Sequence, residues 1–195
     1  MSFDRLPPIP EAQWSPEQQR EAQELIAGPR GALISPFIPL LRSPELMGHA
    51  QRMGEYLRYR SVLALRLSEL AILITARQWS QQVEWAIHSP IAHKAGVAAT
   101  TIEAIAQGQQ PTGLPDDEAA VYAFSTELHR NQGVSDASWA RVIELFGEQG
   151  AVDLIGINGY YALLSMVMNA SRTPTPSTGA APLPLLTGSL PASPG

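Results

Sequence analysis

Apolar residues recur along most of the chain at the three- and four-residue spacing of amphipathic helices. Ser15-Pro16 and Ser43-Pro44 predict helix starts, because Ser caps helices and Pro is favoured at the first helical position. Gly28, Gly96 and Gly147 predict helix ends. No stretch of useful length alternates as a β-strand does. The pattern therefore predicts an all-α fold.

The start and stop signals place the helices at about residues 16–27, 44–60, 63–78, 81–94, 101–108, 116–133, 136–146 and 148–169. Ser80 is the predicted cap of the fourth. Gly156 and Gly159 lie inside the last one, which indicates close approach by another helix. From residue 171 onward Pro, Ser, Thr and Gly dominate, so we predict one helical domain over 1–170 and a tail over 171–195. The apolar segment 182–186 of that tail is expected to dock, with a neighbouring subunit as one candidate surface.

Three polar residues lie where the pattern is otherwise apolar. Glu69 is inside the most apolar predicted helix, where a carboxylate needs a hydrogen-bond partner or a raised pKa. Glu84 and His88 are four residues apart on the next helix, so they share one face. Such a pair is an acid/base arrangement or an ordinary exposed pair, and spacing alone favours the exposed pair. Trp85 and Pro90 lie beside the pair, and these residues argue against an ordinary solvent-exposed helix face.

Composition narrows the possible functions. The 195 residues carry a net charge of −5 with scattered Lys and Arg, which argues against nucleic-acid and anionic membrane partners. The first residues lack a signal-peptide pattern and the longest apolar run, 70–74, is too short to cross a bilayer, so we expect a cytoplasmic protein. Charged residues make up only 16%, which suits burial between subunits. The absence of cysteine excludes thiol chemistry.

Metal and phosphate binding are not favoured. His88 and His93 are five residues apart and do not share a helical face, and Glu84 to His88 is not the Glu-x-x-His spacing of di-iron bundles. We therefore predict no metal. The segment 28–31, Gly-Pro-Arg-Gly, lacks the spacing of a phosphate loop, so a plain turn is predicted there.

Several sequence blocks together resemble the carboxymuconolactone decarboxylase family of the AhpD-like superfamily, from about residue 40 to 169. The blocks are 69–73, 84–92, 94–97, 122–124, 127–130, 134–136, 146–150 and 159–161. In the pattern Glu-x11-Cys-x2-Cys-x3-His of the peroxidase branch, Glu69, Gln81, Glu84 and His88 occupy the four positions. Both thiols are therefore replaced, and the resemblance argues against peroxide or disulfide chemistry.

The resemblance implies an AhpD-like helical bundle that assembles as a homo-oligomer, a trimer or hexamer. It also implies cofactor-free acid/base chemistry, as in a carboxy-lyase, on a small carboxylated lactone or a related intermediate of aromatic catabolism. His88 would carry a proton to the carbon that loses carbon dioxide, Glu84 would hold the tautomer, and Glu69 would exchange a second proton. The alternative is a catalytically silent oligomeric or small-molecule-binding protein.

Substrate binding is assigned to four residues near these positions. Gln81 and Trp85 lie beside Glu84 in the sequence, and Arg66 and Arg77 flank the apolar helix as the nearest cations for a substrate carboxylate. The sequence does not choose between the two arginines.

Overall fold

A computed structural model describes residues 4–185 of the chain and confirms the all-α fold, because no strand occurs in that range. The helices are α1 (Pro16–Ala27), α2 (Phe37–Leu40), α3 (Pro44–Tyr59), α4 (Leu65–Gln78), α5 (Gln82–Lys94), α6 (Ala99–Ala106), α7 (Asp116–Asn131) and α8 (Asp136–Ser171). A short 3-10 turn, Glu11–Gln13, precedes them.

Helix α4 is the centre of the bundle. It packs against α5, α7 and α8, and every residue from 67 to 77 is buried. Leu70 and Leu73 are fully enclosed. A helix that is apolar on nearly every side has no face for solvent, and the neighbouring helices bury all of it. Any polar group on α4 is therefore surrounded by protein.

Helix α8 contains two helical segments that meet at Gly147. The backbone there has φ 68 and ψ −179, which is outside the helical region and accessible to glycine. The predicted stop at this residue is confirmed. By length and composition α8 could also cross a membrane, and 56% of its most apolar window is buried within the described fold.

The helix starts follow the sequence signals in part. Ser15 accepts from the backbone N–H of Gln18 and the Gln18 side chain accepts from the N–H of Ser15, so the predicted start of α1 is confirmed. Ser43 makes no capping bond with its side chain. Helix α6 begins at Ala99, two residues before the predicted start, without a side-chain cap.

The predicted cap of α5 is wrong. Ser80 has φ 48, in the left-handed region, and its hydroxyl accepts a bond from Arg77. Gln81 caps the helix instead, because its side-chain oxygen accepts from the backbone N–H groups of Val83 and Glu84. A longer side chain thus performs the function usually given to Ser or Asp.

The two glycines predicted to allow close packing behave differently. A Cβ on Gly156 would lie 3.1 Å from Leu57 Cδ2, so the close approach of α3 is confirmed there. Nothing lies within 4 Å of a Cβ on Gly159, so that part of the prediction is wrong. A closer approach than at Gly156 occurs at Gly54 of α3, where a Cβ would overlap the Tyr160 hydroxyl of α8.

The described part of the tail packs on α5 of its own chain. Pro90 lacks an N–H and leaves the Ala86 carbonyl without its helical donor, and the Thr178 hydroxyl donates to that oxygen at 3.0 Å. Gln82 donates to the Leu183 carbonyl and accepts from the Leu183 N–H, at 2.8 and 2.9 Å. Leu186, in the segment predicted to dock, lies outside the described residues.

The connection between α3 and α4 is fixed by Asp153 of α8. Its carboxylate accepts from Tyr56 Oη at 2.9 Å, from Ser61 Oγ at 2.8 Å and from the Val62 N–H at 3.1 Å. A buried carboxylate with three donors is well compensated for the loss of water. The C-terminal end of α3 is thereby held against α8.

Candidate active site

The imidazole of His88 lies between two carboxylates. Its Nδ1 is 2.7 Å from Oε2 of Glu69 in α4, and its Nε2 is 3.3 Å from Oε2 of Glu84, one turn earlier in α5. All three residues are at most 3% exposed. The three predicted catalytic residues are thus brought together, and the pair formed by Glu84 and His88 is buried rather than solvated.

Two local features orient these side chains. Helices α4 and α5 pack against each other, which places Glu69 against the ring of His88. Glu84 is in the first turn of α5, where the exposed N–H groups of the helix favour negative charge. Gln81 closes that turn and donates to Asn169 of α8 at 2.9 Å. Its role here is to fix the start of α5.

The ring of His88 is charged at neutral pH. Burial lowers its pKa, but the negative charges and hydrogen-bonding contacts of Glu69 and Glu84 outweigh burial and raise the pKa to about 9. An imidazolium donates from both nitrogens, which matches a carboxylate on each side. The His88 imidazolium is therefore a charged acid that lies between two bases, the carboxylates of Glu69 and Glu84.

Within residues 4–185, one oxygen of each carboxylate has no hydrogen-bond partner, namely Glu69 Oε1 and Glu84 Oε1. Buried carboxylate oxygens are normally satisfied, so each of these two can accept a bond from water or a ligand. Tyr161 stands edge-on to the imidazole, with ring centroids 5.1 Å apart. Burial and the nearby Glu84 carboxylate raise the pKa of Tyr161 well above its ordinary value, so its hydroxyl stays protonated.

Glu84 and His88 open onto a small cavity of about 30 Å³. Glu69 does not line it and lies behind the ring. The other walls come from the segment between α1 and α2 with the first residue of α2, from the end of α3, and from α5 and α8: Arg30, Ile34, Ser35, Pro36, Phe37, Arg58, Ile87, Tyr160, Tyr161 and Leu164. This volume suffices for water and is far below the roughly 300 Å³ at which ligand pockets begin.

The four predicted substrate-binding residues lie outside this cavity. Arg66 pairs with Asp117 at 2.6 Å and with Glu118. Arg77 donates to the Ala106 carbonyl at 3.1 Å, the Pro184 carbonyl at 2.6 Å and Ser80 at 2.7 Å. Trp85 lines a separate and larger pocket of about 390 Å³, between α5, α6 and residues 180–184. Gln81 caps α5, as described above.

The cavity contains four residues that the sequence pattern did not identify. Arg30 and Arg58 line it, and so do Tyr160 and Tyr161 of α8. Burial raises the pKa of Tyr160, an effect that the nearby Arg30 guanidinium opposes. These residues come from parts of the chain distant from α5. The apolar character of the last helix, with two adjacent tyrosines inside it, was the available signal.

Thiol chemistry is impossible at this site because the chain contains no cysteine. Across residues 4–185, no group of three or more His, Asp or Glu side chains is arranged to hold a metal ion. The described groups can transfer a proton at the face of the Glu84 and His88 pair that meets the cavity.

Comparison with known proteins shows that the fold of this chain is similar to that of solved structures. No family model matches the sequence, and no curated protein does. Among solved structures, the crystal structure of the apo debrominase Bmp8 is similar with a TM-score of 0.67 and 14% identity, covering 89% of this chain and 92% of that one. A cysteine-to-alanine variant of Bmp8 in complex with 2,3,4-tribromopyrrole has a TM-score of 0.64, with the same identity and coverage.

The fold and the site together define the class of protein: it is all-helical and contains a buried carboxylate–imidazole–carboxylate group. Its overall fold is similar to that of a debrominase that binds a small halogenated ring. The AhpD-like family assignment remains a prediction from the sequence blocks.

Proposed function

We propose that this chain is an acid/base enzyme of the carboxymuconolactone decarboxylase type, acting on a small carboxylated lactone or a related ring acid. The observation that carries the proposal is the charged imidazole of His88 between Glu69 and Glu84, with only the Glu84 side open to the cavity. The fold shared with an enzyme of small ring compounds supports a small-molecule substrate.

The geometry gives the two carboxylates different roles. Glu69 contacts Nδ1 from behind the ring, so it positions the imidazole and keeps it charged. Glu84 lies at the cavity beside Nε2, so the proton between them is the one a substrate can reach. This reverses the roles that the sequence suggested, where Glu84 was to hold the tautomer and Glu69 was to exchange a proton.

In the proposed reaction, the bond between the ring carbon and the substrate carboxylate breaks and carbon dioxide leaves. The electron pair passes into the conjugated lactone carbonyl as an enolate. The carbon then takes a proton from Nε2 of His88, and water returns a proton to the imidazole. His88 acts as the general acid. Glu84 stabilises the imidazolium before the proton is transferred, and its carboxylate afterwards accepts a hydrogen bond from the water that reprotonates the ring.

The test is a screen for carbon dioxide release from carboxylated lactones and from five- and six-membered ring acids. We expect the His88→Asn variant to lower kcat by about 10²- to 10⁴-fold, the usual contribution of a general acid. His49→Asn, on the exposed face of α3, is the matched control and should retain activity. In deuterium oxide the product should carry one deuterium at the former carboxyl-bearing carbon. Full turnover by a His88→Asn, Glu84→Gln double variant would contradict the acid/base assignment.

A catalytically silent small-molecule-binding protein is the second candidate, and one observation favours it. The pocket of about 390 Å³ beside Trp85 has the size of a ligand site, is largely apolar, and shares no lining residue with the His88 cavity. If this function is the true one, Trp85→Ala should abolish the thermal stabilisation that a ligand gives, while His88→Asn should leave it unchanged.

A further inference from the structure

Two arginines reach the His88 cavity from separate parts of the chain. Arg30 lies in the segment between α1 and α2, and Arg58 lies in the last turn of α3. Both are half-buried. Glu84 and His88 reach the same cavity from α5. The segment that the sequence pattern assigned to a plain turn therefore supplies a cation to the candidate active site.

Neither guanidinium is neutralised by a carboxylate within residues 4–185. Arg30 donates to the Gln51 carbonyl at 3.3 Å, and its Cζ lies 4.9 Å from the centroid of the Phe37 ring. Arg58 Cζ lies 5.5 Å from the Tyr59 ring. Arg30 also contacts the Tyr160 hydroxyl. A guanidinium has five N–H donors, so these contacts leave donors for a ligand. Arg66, in contrast, is fully engaged with two acidic residues.

The charges around the cavity match one bound anion. Two carboxylates and one imidazolium give −1, and the two guanidinium groups change the total to +1. A guanidinium presents a planar fork of donors that fits a carboxylate, and partial burial strengthens the attraction.

The small volume of the cavity limits how such a ligand enters. About 30 Å³ does not accommodate an organic acid, so the ring must displace part of the lining. Five of the lining residues belong to the short segment 30–37, in which Phe37 is anchored in the core while Arg30, Ile34 and Ser35 are half-buried or exposed. Its displacement would move Arg30 while Arg58 stays on the helix end that Asp153 anchors.

We propose that Arg30 and Arg58 bind the carboxylate of a small monoanionic ring acid and hold the carbon next to it against Glu84 and His88. This inference rests on the proposed function and names its substrate class. Arg58 supplies a fixed contact, and Arg30 completes the clamp when the 30–37 segment covers the ligand.

The experiment measures binding of benzoate, 2-furoate and acetate by calorimetry, with benzamide as the uncharged analogue of benzoate. We expect wild-type protein to bind the ring acids saturably and benzamide much more weakly. Arg30→Gln and Arg58→Gln should each weaken ring-acid binding by about tenfold or more, because each removes a charge-assisted contact. Arg20→Gln, at an exposed position on α1, is the matched control and should bind as the wild type does.

Further variants keep the test independent of folding and of catalysis. Arg58→Lys retains the charge without the fork, and it should recover part of the affinity that Arg58→Gln loses. Unfolding curves of each variant show that the bundle is intact. Glu84→Gln should bind ring acids at least as tightly as the wild type, because a like charge at the cavity is removed.

The outcomes separate the two proposals. Carboxylate binding that depends on both arginines, without carbon dioxide release from any ring acid, supports the clamp and contradicts the proposed reaction. Equal binding of benzoate and benzamide, unchanged binding in both Gln variants, or no saturable carboxylate binding by the wild type would overturn the clamp. In those cases turnover that depends on His88 would still stand.

Discussion

The charge on His88 predicts that the stability of the protein falls as the pH rises above neutrality. The folded protein holds the pKa of this ring at about 9, against an ordinary value of 6.5. A raised pKa means that the folded state binds the proton more tightly than the unfolded state does. The resulting stabilisation is complete below about pH 6.5 and is lost as the pH rises through about 9.

The size of the effect follows from the same difference. At about 1.4 kcal/mol for each pH unit between the two pKa values, His88 contributes on the order of 3 kcal/mol to the free energy of unfolding. Three other groups with shifted pKa values titrate outside the range from pH 6.5 to 9. Burial lowers the pKa of His129, so that residue acts below pH 6.5, and the pKa values of Tyr160 and Tyr161 are raised, so both titrate above 10.

Urea denaturation from pH 6 to 9.5 measures this loss directly. Wild type and His49→Asn should lose the same free energy of unfolding over that range, while His88→Asn should show a nearly flat profile. His88→Asn also leaves two carboxylates buried without a cation, so it is less stable than the wild type below about pH 9. A titration of the wild-type ring by nitrogen-detected NMR removes any dependence on the variant. A midpoint at or below pH 7, or equal slopes in wild type and His88→Asn, would refute the reasoning.

Three further predictions concern packing and assembly. Gly54→Ala places a Cβ against the Tyr160 hydroxyl and should lower the free energy of unfolding by about 1–3 kcal/mol in urea titrations. Gly159→Ala, with free space around it, should raise the free energy of unfolding by about 0.5–1 kcal/mol. Changes of the same sign in both variants would contradict the packing described above. Thr178→Val removes the hydroxyl that pairs with α5 and should cost about 1 kcal/mol, while Thr175→Val, at an exposed position, should cost nothing measurable. Light scattering should give a multiple of the 21.0 kDa chain mass if the predicted trimer or hexamer forms, and a monomer mass at micromolar concentration would contradict that prediction.

Sequence patterns predicted the elements that local chemistry controls. Helix starts such as Ser15-Pro16 and the stop at Gly147 depend on neighbouring residues alone, and both are confirmed. Ser80 failed as a cap because the chain there adopts a left-handed conformation, which lets Gln81 reach the open N–H groups. That choice depends on tertiary packing, so local preference does not reveal it.

The candidate site was predictable to the extent that it lies within two consecutive helices. Glu69 needed a partner because it lies in an apolar helix, and His88 of the next helix is that partner. Arg30, Arg58 and Tyr160 approach from segments far away in sequence, and nothing local distinguishes an arginine that faces a cavity from one on the surface. The nearest arginines in sequence bind elsewhere, because position along a helix does not specify which neighbouring helix a side chain meets.

The contacts between the tail and α5 have a consequence for how the site is assembled during synthesis. Gln82 exchanges two hydrogen bonds with a residue 101 positions later, and the Ala86 carbonyl waits for a hydroxyl 92 positions later. A growing chain folds from its N-terminus as it leaves the ribosome, so the first turns of the helix that carries Glu84 and His88 lack these partners until residues 178–183 have been synthesised. The helix that carries most of the site therefore completes its hydrogen bonds only after all the described helices, α1 to α8, have been synthesised.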